Sequence, residues 1–216
     1  MSRPAVVLFA LLAASAGTQA AITLDATLTN AQEPQTPTPV IPTLVNGAPR
    51  PTSFGTATFV INDAMTAMSF EAVVNNIDFT GTQTTDINDN LVNAHIHAGP
   101  NAPPATNPVV WGFIGSPFND TPVPNVVVTP FASGVGGTVT GIWDAVEGQN
   151  TTFAAQLGNI LAGRAYINFH TVQFPGGEIR GALVAPIPEP ETYALMLAGL
   201  AAVGWIGRRR KLQRGD

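Results

Sequence analysis

The sequence predicts an all-β domain, a Greek-key-type sandwich or barrel of about eight or nine strands with one short helix, flanked by a signal peptide and a C-terminal transmembrane helix. Three observations predict it. Short runs rich in Val, Ile, Phe and Thr alternate with Gly, Pro and Asn punctuation through the middle of the 216-residue chain. Only one stretch of that middle region has helical spacing. The chain has no cysteine, so neither a disulfide frame nor thiol chemistry can stand in for a hydrophobic core.

In order, residues 1–20 open with Arg3, pass through an apolar stretch from Ala5 to Ala16 and end on small residues, with Thr18 and Ala20 at the −3 and −1 positions of a signal peptidase site. Nine strands are then expected, at 22–29, 54–61, 67–74, 93–97, 109–114, 126–131, 137–144, 165–170 and 178–184. Residues 33–51 carry six prolines and are expected to form an extended loop. Residues 151–163 place Phe153, Leu157, Ile160 and Leu161 at helical spacing, with Asn150 or Thr151 as cap and Gly163 as stop. The central domain, residues 21–187, holds three arginines and no lysine against eleven acidic residues, a net charge of −8 with histidine neutral. Such a surface repels nucleic acid and anionic headgroups.

The three histidines fall in two of these strands. In "NAHIHAGP", residues 93–100, alternation puts His95 and His97 on one side roughly 7 Å apart, with Ala94, Ile96 and Ala98 on the other. In "YINFHTVQFPGGEIRGAL", Tyr166, Asn168 and His170 share a face, and a hairpin through Phe174–Pro175–Gly176–Gly177 pairs Phe169 with Ile179, Asn168 with Arg180 and His170 with Glu178. The apolar partners line the core; the histidine face, with Asn168, Glu178 and Arg180 in support, is expected to look outward, and Glu178 to pair with Arg180. Two imidazoles at i and i+2 with a third from a neighbouring strand form a spacing that transition metals use, and imidazole suits copper or zinc.

Other chemistry is thinner. "DINDN", residues 86–90, has calcium-loop spacing at Asp86, Asn88 and Asn90, but Leu91 stands where the loop needs glycine, so a polar turn is expected. Trp111, Trp143 and Tyr166 offer a carbohydrate platform if exposed, although a tryptophan in a β domain more often serves the core. The sequence carries no nucleophile elbow, phosphate loop, zinc-protease helix or dinucleotide fingerprint.

Two resemblances organise these pieces. The C-terminal "IPEPETYALMLAGLAAVGWIGRRRKLQRGD" joins Pro188–Glu189–Pro190 to an apolar helix at 192–207 and then to Arg208, Arg209, Arg210 and Lys211. It resembles the PEP-CTERM sorting signal, which implies recognition by a membrane-embedded exosortase and cleavage near the triplet. Sixteen residues span roughly 24 Å against a hydrocarbon core of about 30 Å, which suits a segment that anchors transiently. The segments from "LTNAQEPQTPTP" through "NAHIHAGP" to the closing block at 155–183 resemble, in order, the CHRD domain first described in chordin, an extracellular β domain without established catalytic residues. A weaker likeness links His95, His97 and His170 to the copper site of Cu/Zn superoxide dismutase. The bridging histidine, zinc loop and cysteine pair of that family are missing, so the likeness implies at most a single-metal site and no dismutase activity.

Taken together, the expectation is an exported, non-catalytic structural or binding module. Signal peptidase and exosortase process it, and its address is the periplasm, cell surface or extracellular polymer matrix. An extracellular polymer or surface protein is its expected partner, and it meets the membrane only through the C-terminal helix. The alternative is a copper- or zinc-binding protein using the three histidines.

Overall fold

Alternation of β-branched or aromatic residues with Thr, Ser and Asn gives each segment one apolar side and one wettable side, and antiparallel pairing then buries the apolar sides together. In the computed structural model, which describes residues 20–34, 40–121, 124–186, 195–203 and 205, this produces nine strands. They are β1 (Ile22–Thr29), β2 (Phe54–Ile61), β3 (Met68–Asn75), β4 (Leu91–Ala98), β5 (Val109–Ile114), β6 (Val127–Pro130), β7 (Gly136–Trp143), β8 (Ala165–Thr171) and β9 (Ile179–Ala182). Strand β2 alternates exposed and buried residues without a break, and Leu24, Ala26 and Leu28 of β1 answer it on the inner side.

All nine strands join one antiparallel sheet in the order β5-β4-β8-β9-β1-β2-β3-β7-β6. The sandwich-or-barrel expectation is therefore met by a single sheet curled into a half-barrel. Aromatic contacts show the curl. Phe70 on β3 lies 4.9 Å from Phe113 and 5.8 Å from Trp111, both on β5 at the far end of the sheet order. Trp111 in turn stacks on Trp143 of β7 at 5.9 Å. Right-handed twist accumulated over nine strands brings the two ends of the sheet over a common core.

A helix, α1 (Phe153–Leu161), packs on this core through Phe153 and Ile160, both fully buried, with Phe153 edge-on to Trp143 at 5.4 Å. Its cap is Thr152, whose hydroxyl accepts from the Ala155 amide at 3.3 Å, one residue beyond the caps expected from sequence. Leu161, expected on the apolar face, is exposed. A second, shorter helical element, a 3-10 turn at Asn30–Gln32, follows β1.

The proline-rich stretch is anchored rather than free where it is described. Val40 is buried, and the Arg50 guanidinium reaches the Glu178 carboxylate at 2.6 Å with both side chains almost wholly enclosed. Glu178 also accepts from Thr171 Oγ1 at 2.6 Å and from Ser53 Oγ. The expected Glu178–Arg180 pair does not form. Arg50, more than 120 residues away in sequence, takes the carboxylate, and Arg180 donates to the backbone carbonyls of Gln32 and Pro104.

At the C-terminus, residues 195–203 and 205 are helical, and Leu195, Leu197, Leu200 and Val203 are exposed. Among the described residues no helix is long and apolar enough to cross a membrane. The rest of the expected helix 192–207, the triplet Pro188–Glu189–Pro190, the cluster Arg208–Arg209–Arg210 and the signal segment 1–19 lie outside the described residues.

The enclosed ion pair gives the first prediction. Replacing Arg50 with Met leaves a buried carboxylate without its cation and should cost about 3–5 kcal/mol. Urea unfolding should therefore show a midpoint loss far larger than that of the surface change Asp63→Asn.

Candidate metal centre

Strand β4 carries His95 and His97, and β8 carries His170. The β8–β9 hairpin has the register expected from sequence, Phe169 opposite Ile179 and Asn168 opposite Arg180. In the β4–β8 pair His95 faces Asn168 and His97 faces Tyr166, which makes His170 the diagonal neighbour of His95. The ring centroids are 4.9 Å apart for His95 and His170, 5.9 Å for His95 and His97, and 6.4 Å for His97 and His170.

The outward-facing expectation fails. The three side chains share a polar face, but they are only 4–8% exposed. Three loops cover that face, and each presents a backbone carbonyl to one imidazole. His95 Nε2 meets Ser116 O at 3.1 Å, His97 Nδ1 meets Asn107 O at 2.9 Å and His170 Nδ1 meets Pro175 O at 2.9 Å. The first of these loops can lie on β5 because residue 112 is glycine: a Cβ there would run into the Pro117 carbonyl and press on the His95 ring.

These contacts fix the tautomers. A carbonyl only accepts, so His95 Nε2, His97 Nδ1 and His170 Nδ1 must carry the hydrogens. The lone pairs are left on His95 Nδ1, His97 Nε2 and His170 Nε2. His95 Nδ1 and His170 Nε2 face each other at 3.2 Å, and His97 Nε2 is buried without a hydrogen-bond partner. One nitrogen from each ring lies within 4.8 Å of the others.

Burial disfavours the imidazolium form throughout. It pushes His95 down to about 4, with charge on His170 and His97 adding to the effect. It pushes His97 down to about 4 as well, the Asn107 carbonyl opposing the shift and His170 and Arg180 reinforcing it. His170 is lowered by burial against the pull of the Pro175 carbonyl. At neutral pH the cluster is three uncharged bases. Two of their lone pairs point at each other, an arrangement that a cation between them relieves.

Around this centre, Tyr166 stacks on His97 at 4.6 Å and carries the Arg180 guanidinium 4.5 Å from its own ring centroid. Asn168 packs its amide where a side chain on Gly177 would have to go. Glu178 supports the site indirectly, holding Thr171 and Arg50 rather than a histidine. Sequence reasoning missed the carbonyls of Asn107, Ser116 and Pro175, since any residue type supplies a carbonyl. Glycines next to the histidine segments were the available signal.

The other sequence candidates find different places. Trp111, Trp143 and Tyr166 are 0–2% exposed, and Trp111 donates to Glu147 at 3.1 Å, so no aromatic platform faces solvent there. In the "DINDN" turn, Asp86 accepts from the amides of Asn88 and Val45, and Asp89 accepts from Thr84 Oγ1, which makes it a hydrogen-bonded polar turn.

Comparison with known proteins agrees with the fold and the tail. The family model for the PEP-CTERM protein-sorting motif matches residues 186–211, which marks an exported protein that exosortase processes for the cell envelope or surface. Searches of curated proteins and of solved structures return no match. The CHRD domain model matches residues 24–183, taking in α1, all three histidines and nearly every strand residue, and the chain therefore belongs to the CHRD domain family.

Proposed function

We propose that the domain is a non-catalytic module that holds one copper or zinc ion through His95 Nδ1, His97 Nε2 and His170 Nε2, and that exosortase processing delivers it to the cell surface or the extracellular polymer matrix. The observation that carries the reading is the convergence of three lone pairs whose tautomers are set by carbonyls. Metal-ligating histidines commonly donate their other ring N–H to such a partner, which fixes the ring and raises its basicity. Two donors on one ion at bond lengths of about 2.0–2.1 Å sit roughly 3.3 Å apart at a tetrahedral angle, close to the 3.2 Å between His95 and His170. A ring adjustment of about 1 Å brings the third nitrogen to the same ion. With each N–H committed to a carbonyl and the rings enclosed, the centre is built to retain an ion. Contact with a matrix polymer or surface protein falls to the exposed outer side of the sheet, where Phe54, Thr56, Thr58 and Val60 of β2 face solvent.

Three outcomes follow. Addition of Zn(II) or Cu(II) to the metal-free chain should raise its melting temperature, and His97→Ala should weaken binding by at least the about 10–100-fold typical of losing a supporting contact. Equal affinity in isothermal titration of wild type and variant would remove the site.

The second concerns acid. The folded histidines titrate below their ordinary value, so between pH 6.5 and about 4 the unfolded chain binds more protons than the folded one. Stability of the metal-free protein should be full above pH 6.5 and fall as the pH drops toward 4. Urea midpoints at pH 7.5, 6 and 5 measure this, and His97→Gln should flatten the slope.

The third concerns processing. Changing Pro188, Glu189 and Pro190 to Ala should leave a C-terminal epitope attached to the exported protein, read by immunoblotting of envelope and medium.

A further inference from the structure

We infer that the ion this centre is built to hold is copper in its monovalent state, an inference that rests on the metal-binding reading above. Ligand count comes first. The cluster consists of three histidines and includes no aspartate or glutamate. Of the carboxylates nearest the histidines in sequence, Asp89 accepts from Thr84 Oγ1, and Glu178 is spent on Arg50, Ser53 and Thr171. Asn168, opposite His95 on β8, has its Oδ1 buried without a hydrogen-bond partner, but as a neutral amide it brings no charge to the site.

Enclosure comes second. His97 Nε2 is buried, and the three residues are only 4–8% exposed, so the donor set is closed off from bulk solvent. Structural zinc sites are almost always four-coordinate, and Cu(II) prefers a tetragonal set of at least four donors. Cu(I), a filled-shell ion without a ligand-field preference, is satisfied by two or three imidazoles. The donor set here, a close pair at 3.2 Å with a third nitrogen farther off, is of that kind.

Charge comes third. Three neutral imidazoles leave the bound ion with its whole charge inside the protein, and the cost of burying charge grows as its square, about fourfold from +1 to +2. The Arg180 guanidinium lies 4.5 Å from the centroid of Tyr166, which stacks on His97, so the charged side chain on that flank of the site is positive and disfavours a second charge on the ion. A carboxylate in the cluster would offset a divalent ion; among the described residues none joins it.

The test is an anaerobic competition of the full metal-free chain for Cu(I) against bicinchoninate, with parallel titrations of Zn(II) and Cu(II), for wild type, His97→Ala and His97→Gln. Circular dichroism confirms that each variant is folded. The expected result is one Cu(I) per wild-type chain, bound at least 100-fold more tightly than Zn(II) or Cu(II) and at least 100-fold more tightly than in either variant. Copper loaded this way should stay silent in electron paramagnetic resonance after brief exposure to air. Zn(II) or Cu(II) binding as tightly as Cu(I), and sensitive to His97, would overturn the oxidation-state inference and leave the metal site standing. No binding of any of the three ions, or binding indifferent to His97, would overturn both. Should both variants misfold, X-ray absorption of the copper-loaded wild type decides: three nitrogen donors support the inference, and four or more donors defeat it.

Discussion

Enclosing three imidazoles on one face of a sheet obliges each of them to find a hydrogen-bond acceptor, and on this face the acceptors are backbone carbonyls delivered by loops. That requirement governs the rest of the centre. Because carbonyls cannot donate, every imidazole is locked as one neutral tautomer and every remaining lone pair points inward. A side-chain hydroxyl or amide in any of the three places would have allowed the ring to flip its roles. The backbone allows no such choice.

The fold supplies this arrangement by making loops depend on strands far away. Arg50 crosses from the proline-rich segment to Glu178 and so pins the end of the turn whose Pro175 carbonyl holds His170. Asn30, in the 3-10 turn after β1, donates to the Glu178 backbone carbonyl at 2.8 Å, and Arg180 reaches back to Gln32. The segment after β1 therefore clamps the β8–β9 hairpin from one side. On the other side, Arg180 also holds the Pro104 carbonyl in the loop that leads to Asn107. The buried ion pair and the buried guanidinium thus fix two of the three loops over the histidines.

What the sequence could and could not tell follows from the range of each interaction. Strand positions and the β8–β9 register were legible because period-two alternation and a four-residue turn are local. So was the grouping of His95, His97 and His170 on one polar face. The burial of that face was not legible, since alternation tells which residues share a side and says nothing about what covers it. The partner of Glu178 was misread for the same reason: Arg180 is two residues away and Arg50 is 128. Trp111 and Trp143 lie in the core, as expected of tryptophan in a β domain, but their stacking on each other from strands near opposite ends of the sheet comes from accumulated twist that no single segment encodes.

The residues flanking the histidines in the "HIHAGP" box make sense in these terms. A Cβ at Gly99 would stand 2.6 Å from Asn107 Oδ1, and Asn107 is the residue whose carbonyl receives His97 Nδ1–H. Its amide group donates to Asn101 O at 2.7 Å and to Arg164 O at 3.0 Å, tying the covering loop to both ends of itself and to the entry of β8. The glycine therefore gives room to the asparagine, the asparagine holds the loop, and the loop's carbonyl sets the tautomer of a ring two residues before the glycine. A sequence motif that looks like a metal-binding pair followed by a turn thus holds both one part of the centre and the space that its covering loop requires. Substituting a larger residue at position 99 would act on His97 through the Asn107 carbonyl, leaving the imidazole itself in place while removing the contact that aims its lone pair.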